Sequence, residues 1–247
     1  MSRPVPAPVV AAPYNWTGLY AGLNVGYGWG QSTAPAVVLT DPGGAMGFAG
    51  IVAGGGFAVP NPAPSGFIGG GQVGYDRHLG VFGGGSWVGG IVTDFQGAGI
   101  QDRDRAFTGA AGTATTTSMS ISNKLDYLGT VRGKLGIASG NWLFFGTGGL
   151  AYGHVKSSFS ASANFPGGNV AISGRGNSWD AGWTAGAGIN YGIGPWILGV
   201  EYLHYDLGKT DVTAIQTTNT IGGGPASGTV SQTTAGDLVR ATASYRF

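Results

Sequence analysis

The stretch LDYLGTVRGKLGIA, Leu125–Ala138, separates into two sequences when every second residue is taken. Leu125, Tyr127, Gly129, Val131, Gly133, Leu135 and Ile137 carry no charge, whereas Asp126, Leu128, Thr130, Arg132, Lys134, Gly136 and Ala138 include three charged residues. Side chains of a strand alternate between the two faces of its sheet, so this pattern predicts one strand with an apolar and a charged face. In a water-soluble sheet the charged face would look outward. Which face does so here decides the fold.

Composition argues against a water-soluble surface. Charged residues are 9% of the 247-residue chain, against roughly 25% in ordinary soluble domains. Net charge is +1 and the cations are scattered, with no basic stripe to follow phosphates, so no nucleic-acid partner is expected. The 51 glycines follow no Gly-X-Y period. Cysteine is absent, which removes disulfides and thiolate metal sites. No run of roughly 18 apolar residues offers a membrane-spanning helix. Residues 1–13, MSRPVPAPVVAAP, read as an extended Pro-rich tail: the mature N-terminus left when a signal peptide is removed, here behind a start methionine.

Alternation recurs along residues 14–247. LYAGLNVGYGW sets Leu19, Leu23, Val25, Tyr27 and Trp29 against Tyr20, Asn24 and glycines. FIGGGQVGYDR sets Phe67, Val73 and Tyr75 against Gln72 and Asp76; VFGGGSWVGGIVTDF sets Trp87, Ile91 and Phe95 against Ser86 and Asp94. After the opening stretch, WLFFGTGGLAYGHV presents Trp142, Phe144, Leu150 and Tyr152 as one set. WDAGWTAGAGINY sets Trp179, Trp183, Ile189 and Tyr191 against Asp180, Thr184 and Asn190. WILGVEYLHYDL sets Trp196, Leu198, Val200 and Tyr202 against Glu201, and LVRATASYRF sets Val239, Tyr245 and Phe247 against Arg240, Thr242 and Ser244. These are eight strands of about 9 to 15 residues, and a tilted bilayer crossing needs about 9–11.

The connections alternate strictly. Three are short, at His78–Gly80, Ser139–Asn141 and Gly192–Pro195; four are long and rich in Gly, Ser and Thr, near 30–66, 96–122, 156–177 and 208–236. A compact soluble domain rarely carries several structureless loops beyond about 15 residues, whereas outer-membrane barrels combine short periplasmic turns with long extracellular loops. The reading is therefore all-β: an eight-stranded antiparallel up-and-down transmembrane barrel with four long extracellular loops and three short periplasmic turns, in the bacterial outer membrane. The apolar faces meet lipid, and closure pairs the backbone groups that hydrocarbon cannot satisfy. Trp29, Phe67, Trp142, Trp179, Trp196, Tyr245 and Phe247 form the lipid-facing aromatic girdle.

NWTGLYAGLNVGYGWG, GGGQVGYD, LDYLGTVRGKLG with LFFGTGGLAYG, VEYLHYDLG and VRATASYRF together resemble the outer-membrane immunogenic proteins of alphaproteobacteria. The resemblance runs from Tyr14 to Phe247 apart from the loops. It implies an eight-stranded surface antigen, and some members are described as porins. In that family the third strand usually carries an inward acidic pair, where this sequence reads GGGSWVGG (Gly83–Gly90).

Chemical motifs are weak. GGGQVG (Gly69, Gly71, Gly74) matches a dinucleotide fingerprint as a string, but a strand resumes behind it instead of a helix. His78, His154 and His204 share no metal spacing, and DRDR (Asp102–Arg105) reads as a solvated loop, so no cofactor or metal is expected. An outer-rim lipid or peptide hydrolase would need His154 with Ser157 or Ser158, with no acid evident to orient it, and the protein reads as a non-enzyme.

An eight-stranded barrel is just wide enough for side chains to fill. Glycines at 22, 26, 28, 182, 186 and 188 would leave room for water, while the charged residues would block it. The function expected is a structural surface barrel with a largely plugged polar lumen; the alternative is a narrow porin-like channel for water and small ions. The lumen network comprises Glu201, Arg240, Arg132, Asp126, Lys134 and Asp180. Arg132 lies seven residues from Ser139, Arg240 seven from Phe247 and Glu201 five from Trp196, so these three share one height. Expected partners are outer-membrane lipids, the barrel assembly machinery through the Phe247 strand, and surface or homotypic contacts of the loops. Deleting Phe247 should leave protease-sensitive protein in the periplasm; normal heat-modifiable migration of the deletion variant on unboiled gels would count against this role.

Overall fold

The alternating segments form strands that close on themselves. A computed structural model describes residues 14–31, 36–40, 64–101, 105–111, 114–220 and 227–247. The tail, Asp102–Asp104 and much of the first long connection lie outside these residues. Ten strands follow in order: β1 (Gly18–Gln31), β2 (Ala36–Thr40), β3 (Ser65–Phe82), β4 (Gly85–Gln101), β5 (Arg105–Ala111), β6 (Ala114–Ser139), β7 (Trp142–Phe165), β8 (Gly168–Ile193), β9 (Trp196–Asn219) and β10 (Ser227–Arg246). Antiparallel pairing runs β1-β3-β4-β6-β7-β8-β9-β10, and β10 returns to β1 from Tyr20↔Arg246 to Gln31↔Ala235. Eight strands are staves; β2 adds to the outer end of β10 and β5 to that of β6.

Within the staves the apolar face is outside. Leu23, Phe67, Ile91, Leu150, Trp179 and Val200 are exposed, whereas Asn24, Gln72, Asp94, Arg132, Glu201 and Arg240 are buried. All seven girdle aromatics point outward, Phe67 and Phe247 most of all at 76% and 74% exposure. The three tight turns lie at Gly83–Gly84, Gly140–Asn141 and Gly194–Pro195, the first a few residues beyond its expected place because β3 and β4 continue pairing past Gly80. Gly83, Gly84, Gly140 and Gly194 have φ between 57° and 81°, which L-residues rarely adopt.

The long connections differ from expectation. β7 and β8 run through the whole of 156–177 and join in a two-residue turn at Pro166–Gly167. β6 and β8 reach 26 residues, far more than one crossing needs. The reason lies in VKSSFSASANF, which keeps alternating under its Ser-rich composition. Val155, Phe159, Ala161 and Ala163 are buried with Met119, Ile121, Val170, Ile172, Val212 and Ala214 of the neighbouring extensions. Outside them stand Lys156, Ser158 and Ser160. The polarity of the wall thus inverts along β6 to β9, from oil outside below His154 and Trp179 to oil inside above them.

On β6 the inversion coincides with a register shift between Leu125 and Tyr127. The extra residue turns Asp126 outward and sends Leu125 into the interior at 4% exposure, so Leu125 does not share the lipid face of Tyr127 as the alternation predicts. Amide exchange should distinguish a paired extension from a loop: residues 157–163 and 170–173 should be protected like the staves, and exchange as fast as in an unfolded peptide would contradict the paired extension.

Candidate functional site in the lumen

The interior narrows to four charged side chains from opposite walls. Asp94 on β4 and Arg132 on β6 face Glu201 on β9 and Arg240 on β10. Glu201 Oε2 accepts hydrogen bonds from Arg240 Nε at 3.0 Å and Nη2 at 2.7 Å, and from Arg132 Nη2 at 3.4 Å. Asp94 Oδ2 accepts from Nη2 of both arginines at 2.9 Å and from Thr130 Oγ1 at 2.8 Å. Thr130 also accepts from Arg132 Nε at 2.9 Å, and Gln96 Oε1 from Arg240 Nη1 at 3.4 Å. Two cations and two anions balance. Both arginine side chains and that of Asp94 are wholly buried.

Glu201 and Arg240 are direct register partners, and Arg132 reaches them across the lumen. Asp94 is the member that sequence reasoning left out. It stands on the third stave, four residues past the GGGSWVGG segment, so that stave does carry an inward acid. The alternation of VFGGGSWVGGIVTDF already put Asp94 on the polar face and was the available signal.

The other charges proposed for this network lie elsewhere. Lys134 forms a second pair nearer the periplasm: its Nζ is 2.6 Å from Asp76 Oδ2, 3.3 Å from Tyr20 Oη and about 5 Å from the Tyr20 and Phe145 ring centres. Asp180 faces inward at the level of His154 and Trp179, accepting from Thr210 Oγ1 at 2.6 Å and Ser178 Oγ at 3.1 Å. Asp126, displaced by the bulge, sits outside above the aromatic belt between Lys124 and Lys156. Hydrogen bonds from Lys156 and then Lys124 hold its carboxyl below the ordinary range, at about 2.

Nor is the lumen polar throughout. Above the four charges Ile68, Ile100, Leu128, Leu203, Tyr205 and Leu238 pack into an apolar layer. Below them Tyr20, Val88, Val92, Leu143, Phe145 and Ile197 form another, closed by Trp16 at 2% exposure. Tyr14 covers the mouth beside Trp16, under the Arg246 guanidinium at 4.5 Å from its ring centre. Trp16 continues the inward set of β1 in NWTGLY, a signal present in the sequence and not used.

Beside three of the six inward glycines the interior is filled. A Cβ on Gly188 would stand 2.6 Å from Phe145 Cζ, one on Gly28 2.6 Å from Ile100 Cδ1, and one on Gly186 2.7 Å from Leu203 Cδ2. Large side chains from β7, β4 and β9 already occupy that space. At Gly28, Gly186 and Gly188 the room expected for water is taken.

The histidines lie apart. His78 meets Ser86 Oγ at 2.6 Å near the β3–β4 turn, and His204 meets Asp237 at 2.9 Å on the outer wall beside Trp183. His154 does have an acid nearby, with Asp126 3.5 Å from its Nδ1. Its serines are misplaced: Ser157 is buried on the opposite face, and Ser158 lies four residues along the strand, about 13 Å away. No group of three potential metal ligands occurs among the described residues.

No family model matches the sequence. The 31 kDa outer-membrane immunogenic proteins of Brucella melitensis and Brucella suis are each 36% identical to it over 221 residues, covering 87% of this chain and 80% of theirs. The chain belongs to the family of the 31 kDa outer-membrane immunogenic proteins. It is an outer-membrane β-barrel surface protein, and the inverted polarity of its wall suits that place. Among solved structures, OprG from Pseudomonas aeruginosa is 9% identical over 94% of this chain and 98% of its own, with a TM-score of 0.43. Ail of Yersinia pestis is 13% identical over 90% and 99%, with a TM-score of 0.30. The outer membrane protease OmpT from Escherichia coli is 9% identical over 93% and 97%, with a TM-score of 0.38. Likenesses this distant say nothing about activity.

For this member of the family, breaking the lumen network should be costly because an uncompensated charge stays buried. Glu201→Gln and Asp94→Asn should each lower unfolding stability in detergent by about 3–5 kcal/mol. Denaturant midpoints within error of the wild type for both variants would show that the arginines do not depend on these acids.

Proposed function

We propose that this surface barrel is closed, a structural wall element that conducts neither solutes nor ions. One observation carries the reading: the Arg132–Asp94–Arg240–Glu201 cluster bridges opposite walls and is sealed by apolar layers above and below. A narrow channel is the second reading. It is favoured by Asn24, Gln72 and Gln96, whose buried polar atoms Nδ2, Oδ1, Oε1 and Nε2 lack hydrogen-bond partners among the described residues. That polar strip leads into Tyr20 and Val92 below and Ile68 and Ile100 above, which supports closure.

The protein acts without catalysis in this reading. The pairing of His154 with Asp126 lacks a serine in reach, and its ring lies between Tyr127 and Trp179. The exposed Phe247, whose N–H donates to Leu19 O at 2.9 Å, serves as the terminal aromatic that the assembly machinery engages. The paired outer extensions are the parts offered to contacts at the cell surface.

Planar-bilayer recording tests closure. The wild type should show no stable unitary conductance at neutral pH, and Glu201→Gln, still heat-modifiable, should leak ions into liposomes. Reproducible wild-type conductance steps would replace this reading with the channel.

A further inference from the structure

The outer wall carries a second charged cluster, at the height where its polarity inverts. Tyr127, His154 and Trp179 form an outward shelf of rings with centres 6.3 Å and 5.1 Å apart. Immediately above, three adjacent strands present cations outward: Lys124 on β6, Lys156 on β7 and Arg175 on β8. Lys124 and Lys156 are direct cross-strand partners, an arrangement of like charges that is unfavourable by itself. The single carboxylate delivered by the bulge, Asp126, touches both, at 2.9 Å and 2.7 Å.

Arg175 forms no ion pair among the described residues, and Asp126 is the one carboxylate seen to meet the two lysines. The lysine side chains are 47% and 52% exposed and open to a ligand. Beside Arg175 a groove of about 630 Å³ is lined by hydroxyls of Ser158, Ser160, Ser173, Thr213 and Thr217, with Ile215 and Phe159 between them.

This arrangement reads as three zones stacked along the membrane normal. Aromatic rings sit where acyl chains end, ammonium and guanidinium groups come next, and hydroxyls follow above. Phosphate is the anion that a cluster of exposed Lys and Arg at head-group depth attracts, and closely set hydroxyls match a polyol. We propose that the outward face of β6–β9 binds a phosphorylated, sugar-headed lipid of the outer leaflet. Its phosphates lie on Lys124, Lys156 and Arg175, its sugar in the hydroxyl groove, and its acyl chains against Tyr127, His154 and Trp179. The opposed lysines are kept because the ligand completes the neutralisation that Asp126 begins. The site is independent of whether the lumen conducts.

Native mass spectrometry of the full chain in detergent, titrated with bisphosphorylated lipid A, tests the assignment. The triple variant Lys124→Gln, Lys156→Gln, Arg175→Gln should bind at least tenfold more weakly. Arg175→Gln alone, which removes no internal ion pair, should lose severalfold. Arg77→Gln, at the periplasmic end, should bind as the wild type does. Heat-modifiable migration establishes that each variant is folded, and dephosphorylated lipid A should bind the wild type tenfold less. Unchanged affinity of the folded Arg175→Gln and triple variants would overturn the site. Equal competition by phosphatidylglycerol would overturn the sugar-headed ligand, and displacement by millimolar inorganic phosphate would assign the cations to free phosphate instead.

Discussion

Hydrocarbon offers a peptide group no hydrogen-bond partner, and most of this molecule follows from that deficiency. Strands can cross such a medium only if the last pairs with the first, as β10 does with β1 from Tyr20↔Arg246 onward. Closure then leaves an inside and an outside with opposite tasks. The outside dissolves in acyl chains, so Leu23, Phe67, Leu150 and Val200 stand there. The inside takes the polar residues, among them two arginines whose exposure at the bilayer midplane would cost about 2–4 kcal/mol each. Once enclosed, they need counter-charges, and Asp94 and Glu201 supply them from opposite walls.

The same constraint explains why the wall changes character part-way up. Above the rings of Tyr127, His154 and Trp179 the surroundings are polar head groups and then water, and ordinary burial takes over: Met119, Phe159, Ile172 and Val212 turn inward while serines and cations face out. β7 and β8 make the change without altering their alternation, because only the residue types on each face exchange. β6 makes it with a bulge, which frees Asp126 from the pattern and places it between two lysines.

Much of this was legible in the period-two pattern. Counting from the short turns put Glu201, Arg240 and Arg132 at one height, and the register makes the first two direct partners. What alternation cannot show is a local departure from itself: Leu125, Asp126 and Tyr127 look like three regular positions, and the inserted residue comes to light only in the pairing of β6 with β7. Asp94 was obscured by attention to the glycine-rich segment before it, although its own parity is inward. The apolar layers were hidden because Leu128, Leu203 and Leu238 stand on faces labelled polar by their charged neighbours. The outer hairpins were obscured by composition, since Ser and Ala between Phe159 and Ala163 suggest a loop until the residues are taken in pairs.

The outer hairpins change what the cell presents to its environment. A molecule approaching the tips of β7 and β8 from outside meets Ser162 beside Ala171 and Asn164 beside Asn169, residues drawn at every second place from the two strands of one hairpin. The intervening residues, Ala161, Ala163 and Val170, are hidden. A peptide copied from 161–165 displays both sets at once and holds neither neighbour in place. The surface of this antigen is therefore discontinuous: an antibody raised against the folded wall recognises a mosaic that vanishes on boiling, and one raised against the linear segment looks for side chains the native protein keeps inside.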